Sequence, residues 1–200
     1  MYSFHLLTAA VLLTCLSCEQ KSTAEPPAAE KQETLWAELG TEDHARAERA
    51  MARLAAEPAK SIPFLQKKLP PVPILDRDRV ARWLTDLDSD DFSVRERATE
   101  ELRKLREVAE PALTRALGSR PPLEARRRIE FLLEKIKEDR LHPPFDRLRS
   151  ERAVEVLERI ASPAAKQVLT ALARGATEAD VTVEARAAVK RLNQDLAAKK

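Results

Sequence analysis

The stretch Glu96-Arg97-Ala98-Thr99-Glu100-Glu101-Leu102 places a small residue and a leucine four positions apart. Residues at this spacing lie on one face of an α-helix, one turn apart. The same Glu-Arg-Ala tripeptide, again with a leucine four residues after the alanine, begins at Glu48 and at Glu151. Recurrence at intervals of about fifty residues is typical of stacked helical units. The sequence therefore predicts a helical repeat architecture, whose general role is to present a surface.

The composition favours an all-α fold in one domain of ordinary size. Of the 200 residues, 44% are hydrophobic, 34% are charged and only 4% are aromatic. The 35 basic and 33 acidic residues give a formal net charge of +2. This balance provides no strong field that would attract nucleic acid or an anionic membrane.

The spacing of apolar residues predicts the individual helices. They are expected at 34–39, 43–56, 60–69, 76–87, 91–106, 109–117, 122–138, 148–160, 163–174 and 182–197. Ser93 and Glu96 can form a capping box at the start of the 91–106 helix, and Asp90 or Asp91 can cap it one turn earlier.

Glycines and tryptophans occupy positions that suggest structural roles. Gly40, Gly118 and Gly175 each follow an apolar helical segment. Each is therefore predicted to be a left-handed cap at a helix end. Trp36 and Trp83 fall beside equivalent repeat positions, and packing in the core is favoured over exposure at an interface.

An internal alignment supports repetition. Shifting the chain by 48 residues superposes 35–69 on 83–117 without a gap, and nine of the 35 aligned positions are identical. The first unit departs from the second where Arg46 and Ala47 align with Val94 and Arg95. This irregularity is consistent with a polar cap at the end of a stack.

The N-terminus carries the pattern of an export signal. Residues 6–16 form an apolar run of about eleven residues, too short to span a bilayer, which needs about 20. The run fits a secretory signal peptide at 1–17. The segment 13–18 resembles the lipobox of bacterial lipoproteins, which implies lipidation of Cys18, with Cys15 as a second candidate. The polar, proline-containing residues 18–33 are predicted to be a disordered linker between membrane and domain.

The residues that usually carry chemistry are scarce. His44 and His142 are predicted to lie on the surface, and no His/Cys/carboxylate cluster has the spacing of metal ligands. An EF-hand loop starting at Asp86 would need glycine and glutamate where Asp91 and Arg97 stand. A redox role for the Cys15–Cys18 pair is disfavoured because both lie in the leader. No catalytic, cofactor-binding or metal-binding residue is predicted.

The Asp-containing turn and the helix after it resemble a HEAT repeat. In that family such a turn leads into a helix reading Val-Arg-x-x-Ala-x-x-x-Leu, and Val94, Arg95, Ala98 and Leu102 fill those places. Residues 78–192 also resemble a helical module found beside WD40 propellers in some bacterial proteins. These resemblances imply a right-handed α–α superhelix of HEAT-like helix pairs over 34–198.

The function expected from these features is a non-catalytic protein-binding scaffold. It would bind a protein partner at the bacterial cell envelope, on the periplasmic side or at the cell surface, and be held there by a lipid anchor. The hypothetical partner contacts are Arg95, Glu101 and Arg127, on the second helices of the pairs. Two alternatives stay open, a purely structural envelope protein and a HEAT-like enzyme such as a DNA glycosylase or lyase. Interleaved glutamates argue against a phosphate-binding role for Arg126-Arg127-Arg128.

Overall fold

A computed structural model describes residues 28–198, and the secondary structure within that range is entirely helical. The prediction of an all-α fold is thereby confirmed. The α-helices are α1 Ala28–Leu39, α2 His44–Ala56, α3 Pro58–Lys68, α4 Arg77–Asp86, α5 Phe92–Leu105, α6 Glu110–Gly118, α7 Leu123–Leu141, α8 Phe145–Ile160, α9 Pro163–Leu172 and α10 Asp180–Ala198. A 3-10 helix, Arg106–Ala109, joins α5 to α6.

The ends of the other helices lie within three residues of the predicted ones, whereas α1 begins six residues before its predicted start at 34. α1 begins at Ala28, so the end of the segment predicted to be a linker is helical. Ion pairs tie this extension to the neighbouring helices: Lys31 Nζ lies 3.7 Å from Glu57, and Lys68 Nζ lies 2.8 Å from Glu33. These pairs involve charged residues distant in the sequence, so helical periodicity alone does not reveal them.

The internal alignment coincides with a repeat of local structure. The same shift of 48 residues carries the first residue of α2, His44, onto the first residue of α5, Phe92. Asp43 caps α2 by accepting from the Arg46 amide at 3.0 Å, and Asp91 caps α5 by accepting from the Ser93 amide at 2.7 Å. Of the alternative caps considered for α5, the residue used is therefore Asp91.

The irregular first unit is completed by a residue from another helix. In the second unit, Arg95 of α5 donates to the carbonyl of Ser89 at 2.5 Å and so braces the turn before its own helix. Ala47 stands at the equivalent place in α2. There, Arg152 of α8 donates to the carbonyl of Thr41 at 2.7 Å. Thr41 aligns with Ser89, so two different arginines support equivalent turns.

The described residues form two main hydrophobic cores. The first joins α1–α3 to α8–α10 and includes Leu39, Leu54, Leu65, Leu157 and Leu169. The second lies within α4–α7 and includes Leu87, Leu102, Leu113, Ile129 and Leu132. The two ends of the described chain therefore share one core, and the middle of the chain forms the other.

The second core is a layer of two helix pairs. α4 packs on α5 and α6 packs on α7, while α4 also contacts α6 and α5 also contacts α7. The first helices of the two pairs, α4 and α6, thus contact each other, and so do the second helices, α5 and α7. In the first core, α8 packs against both α1 and α2. This contact joins segments far apart in sequence, unlike a stack that follows chain order.

A smaller apolar cluster joins the two cores. It contains Val108, Ala176 and Ala179, with Val72 packed against them. The amide of Ala176 donates to the carbonyl of Val72 at 2.9 Å. A Cβ added at Gly175 would lie 3.0 Å from that carbonyl oxygen and 2.6 Å from Thr182 Oγ1. Glycine is therefore required at 175 for close approach of the chain segments.

The prediction of left-handed glycine caps is wrong. All three glycines lie in the described range, and none has a positive φ. The residues with a positive φ just after helices are instead Arg106 after α5, Arg120 after α6 and Ala161 after α8. Ala161 has the left-handed values φ 52° and ψ 14°. Gly40 and Gly175 are needed because neighbouring atoms leave no room for a side chain, which is a property of tertiary packing.

The turn between α1 and α2 provides a test of this architecture. Arg152→Met removes the donors to the carbonyls of Leu39 and Thr41, which the native side chain contacts at 2.6 and 2.7 Å. We expect the free energy of unfolding, measured by urea denaturation, to fall by about 1–3 kcal/mol because these acceptors lose their partner. Arg126→Met, at an exposed position of α7, is the matched control and should change it little. Equal free energies of unfolding for the two variants would contradict the role of Arg152 in supporting this turn.

Candidate interaction surface

α5 and α7 lie side by side and run in the same direction. Near their N-terminal ends, Arg128 Nη1 donates to Glu96 at 2.7 Å and to the Thr99 hydroxyl at 2.9 Å. Near their C-terminal ends, Arg106 Nη2 lies 3.3 Å from Asp139. We define the α5–α7 face as the solvent side of the two helices, and its exposed residues are Phe92, Glu96, Arg103, Leu123, Arg127, Phe131 and Lys135.

Several charges beside this face are held by contacts within the protein. Glu124 accepts a hydrogen bond from Arg128 Nε at 2.7 Å, and Arg95 Nε lies 3.7 Å away from the same carboxylate. The hydrogen bond from Arg128 holds the pKa of the Glu124 carboxyl below its usual value. Arg103 binds both carboxylate oxygens of Glu100 at 2.7 and 2.9 Å. These pairs fix side-chain positions and leave little net charge on the face.

Large apolar side chains stand out among these charges. Phe92 and Leu123 are each 63% exposed, and Phe131 is 49% exposed. Leu123, Arg127 and Phe131 recur every four residues and so follow one side of α7. The Phe92 ring lies 5.7 Å from the guanidinium carbon of Arg95. Aromatic and arginine side chains together are the residue types that most often anchor protein–protein interfaces.

A cleft of about 340 Å³ opens at the C-terminal end of the α5–α7 face. Its floor is apolar and is formed by Leu102, Leu132 and Ile136. Charged residues and one proline surround this floor; they are Arg103, Lys104, Arg106, Lys135, Asp139, Asp146 and Pro144. An apolar floor with a charged rim suits an amphipathic segment better than a fully polar ligand.

Arg106 joins this cleft to the first residues of α8. Its backbone has φ 51° and ψ −132°, a conformation that costs a non-glycine residue on the order of 1–3 kcal/mol. Its Nη1 donates to Asp146 at 3.0 Å. Its Nε and Nη2 are buried without a hydrogen-bond partner among the described residues, although Nη2 lies 3.3 Å from Asp139. The residue with the strained backbone thus also makes ionic contacts with α7 and α8 through its side chain.

The charged network extends from Arg106 into the first core. Arg147, one residue after Asp146, lies 2.9 Å from Asp180 of α10 and donates to Glu151 at 2.8 Å. The amide of Asp180 donates to Glu107 of the 3-10 helix at 3.2 Å. The network therefore links the 3-10 helix, α8 and α10, beside the apolar cluster that joins the two cores.

The predicted contact residues occupy different sides of α5 and α7. Arg95 is half-buried and engaged with the turn before α5, whereas Arg127 is exposed on the α5–α7 face. Glu101 lies on the opposite side of α5, where it accepts from Lys104 at 2.8 Å and lies 4.0 Å from Arg79 of α4. Cys18 and its lipobox lie outside the described residues. The role of all four residues stays a prediction.

The residues that build the cleft and its link to α8 were not predicted from the sequence. An arginine at position 106 does not suggest a positive φ, since glycine or asparagine is the usual residue in that conformation. The pairing of α5 with α7 also depends on which helices share a core. One available signal was the exposed spacing of Leu123, Arg127 and Phe131, opposite the apolar residues assigned to the core.

Within residues 28–198, every helix is too short or too polar to cross a membrane, and no group of three or more His, Cys, Asp or Glu side chains is placed to hold a metal ion. The chain matches no protein-family model, and no curated protein or solved structure is significantly similar to it. The contacts and exposed residues described above are therefore the basis for a functional proposal.

The strained backbone at Arg106 can be tested with paired substitutions. Arg106→Ala and Arg106→Gly remove the same ionic contacts with Asp139 and Asp146. Only glycine adopts a positive φ without steric strain. We therefore expect Arg106→Gly to be more stable than Arg106→Ala by about 1–2 kcal/mol in urea unfolding.

The control is the same pair of substitutions at Arg97, an exposed residue in the middle of α5. There the order should reverse, because glycine in a helix interior is less stable than alanine by about 1 kcal/mol. If alanine is also the more stable replacement at 106, the backbone is not strained in the way described.

Proposed function

We propose that this chain is a non-catalytic scaffold that binds a protein partner through the α5–α7 face at the bacterial cell envelope. The observation that carries the proposal is the exposure of Phe92, Leu123 and Phe131 on two neighbouring helices. Burying such side chains against a partner removes apolar surface from water, at roughly 25 cal/mol per Å². Because α5 and α7 share the second core, the anchors are held at fixed spacing before binding.

We also propose that α4–α7 are two HEAT-like helix pairs. The contacts between like helices support this proposal, as does the repeated Asp-capped turn at Asp43 and Asp91. The right-handed α–α superhelix over 34–198 is the finer form of the same proposal. In either form, α5 and α7 are second helices of adjacent pairs, which is where the hypothetical contacts Arg95 and Arg127 were expected.

The proposed anchor is a lipid on Cys18. The apolar run at 6–16 and the lipobox-like segment at 13–18 support it. A lipidated chain would hold the domain close to the membrane, so the partner is expected in the same compartment. Protein binding would then be favoured by a raised local concentration in addition to direct contacts.

Site-specific photo-crosslinking in living cells tests the binding proposal. A photoreactive phenylalanine analogue is placed at position 92 or 131, on the α5–α7 face, and at Val183 of α10 as a control. Val183 is 47% exposed, close to the 49% of Phe131. We expect one adduct of the same mass from positions 92 and 131 and none from 183. No adduct, or the same adducts from all three positions, would overturn the scaffold proposal.

A second variant measures how much the face contributes. With the photoreactive group at 92, Phe131→Ala should lower the adduct yield about tenfold or more, since truncating a central aromatic anchor usually costs at least 1–2 kcal/mol. Val183→Ala in the same background should leave the yield unchanged. An adduct that survives Phe131→Ala would place the partner elsewhere on the protein.

Fractionation of cells tests the anchor separately. Cys18→Ser should move the protein from the membrane to the soluble fraction and abolish incorporation of labelled fatty acid, because the proposed lipid on Cys18 is what holds it there. Cys15→Ser should leave both unchanged. The opposite result would identify Cys15 as the modified residue, and retention of both variants would exclude lipidation as the anchor.

A further inference from the structure

A second concavity lies on the other side of the start of α8. This groove, of about 410 Å³, lies between the α1–α2 turn and the first turns of α8. Its lining residues are Ala37, Gly40, Thr41, Glu42, Phe145 and Arg149. Phe145 lines this groove, whereas its neighbours Pro144 and Asp146 line the cleft at the end of the α5–α7 face.

Arg149 differs from the other arginines of α8. Arg147 and Arg159 each contact two carboxylates, and Arg152 donates to two carbonyls. Arg149 is also half-buried, yet it has no carboxylate within 4.0 Å among the described residues. Its Nε donates to the carbonyl of Phe145 at 3.2 Å. A half-buried guanidinium without an anion loses hydration that a ligand carboxylate could offset.

The surroundings hold this guanidinium in place. Its carbon lies 6.0 Å from the centre of the Trp36 ring, a cation–π distance. On the other side, a Cβ added at Gly40 would lie 2.9 Å from Arg149 Nε and 2.9 Å from the Phe145 carbonyl oxygen. The absence of a side chain at 40 therefore makes the space that Arg149 occupies. Arg149 is positioned before any ligand arrives.

The groove also offers an apolar contact next to the cation. The Phe145 side chain is 57% exposed, and Ala37 is exposed on the facing helix α1. Glu42 is the acidic residue in the lining, at the solvent edge of the α1–α2 turn. A ligand that fits this arrangement carries a carboxylate for Arg149 and an adjacent apolar group for Phe145, and it keeps its negative charge away from Glu42.

We propose that this groove binds an extended peptide segment in which a glutamate or aspartate lies beside an aromatic or aliphatic residue. Arg149 is the residue that recognises the carboxylate, since guanidinium and carboxylate form paired hydrogen bonds of matched geometry. Phe145 covers the neighbouring apolar side chain. The proposal does not depend on the α5–α7 face, because Arg149 lies on α8 and Gly40 lies in the turn between α1 and α2, both beside the first core.

Surface plasmon resonance on the full-length protein, purified in a nonionic detergent, tests this site. The probes are the capped peptide Ala-Phe-Glu-Leu-Ala and the same peptide with glutamine in place of glutamate. We expect the glutamate peptide to bind about tenfold more tightly or better, because only it gives Arg149 a charged partner. Arg149→Met should remove this difference between the peptides, while Arg149→Lys should keep part of it.

Matched controls separate this site from general effects. Arg186 of α10, like Arg149, donates through Nε to one backbone carbonyl, that of Ala173 at 2.8 Å. Arg186→Met should leave peptide binding unchanged. Gly40→Ala should weaken binding of the glutamate peptide, and Gly118→Ala should not, because no atom lies within 4 Å of a Cβ at 118. If Gly40→Ala fails to fold, the Arg149 variants still decide the question.

Three results would overturn the proposal. The two peptides could bind equally well, Arg149→Met could leave the difference between them intact, or inorganic phosphate could compete as effectively as the glutamate peptide. The last result would mark a general anion site instead of a peptide site. None of these results affects crosslinking at positions 92 and 131, so failure here and failure of the scaffold proposal are distinguishable.

Discussion

Burial of an alanine and a leucine one helical turn apart is the constraint on which the rest of this structure depends. Ala50 and Leu54, Ala98 and Leu102, and Ala153 and Leu157 are each no more than 1% exposed. The alanine has no side chain beyond Cβ, so a neighbouring helix can approach closely, and the leucine fills the space one turn away. Two of these pairs lie in the first core and one in the second. The same alanine–leucine spacing is therefore buried in the first core in α2 and α8, and in the second core in α5.

The two cores are joined by much less apolar surface than each contains. The joining cluster consists of small side chains such as Ala176 and Ala179, supplemented by hydrogen bonds and by the ionic network around Arg106 and Arg147. Charges of this kind contribute modestly to stability, but they depend strongly on geometry, so they favour one relative placement of the cores. The cleft at the end of the α5–α7 face depends on that placement, because its lining includes residues of α5 and α7 as well as Pro144 and Asp146. The shape of that cleft is therefore set partly by the ionic contacts of Arg106 with Asp139 and Asp146.

The sequence is informative about local structure because helical period and capping chemistry act over a few residues. Apolar spacing predicts α4–α10 closely, and Asp91 is among the caps predicted for α5. The period also predicts which side of α5 is buried, but it does not predict which helix covers that side. Pairing of α2 with α8 joins residues such as Glu48 and Arg159, which are separated by 111 positions, and no local signal records it. The positive φ of Arg106 and the crowding at Gly40 follow from tertiary packing, so local rules assign left-handed caps to the wrong residues.

The start of α8 lies between the two concavities. Pro144 and Asp146 face the cleft at the end of α5 and α7, and Phe145 and Arg149 face the groove beside α1. Each concavity combines apolar lining residues with an arginine whose position is set by the fold. Ion pairs and a strained backbone hold Arg106, and Trp36 and Gly40 surround Arg149. Fixing a cation before binding removes part of the entropy cost of ordering it in a complex. The helical framework fixes such side chains on both sides of one helix end, so the proposed scaffold would contact a partner at more than one point.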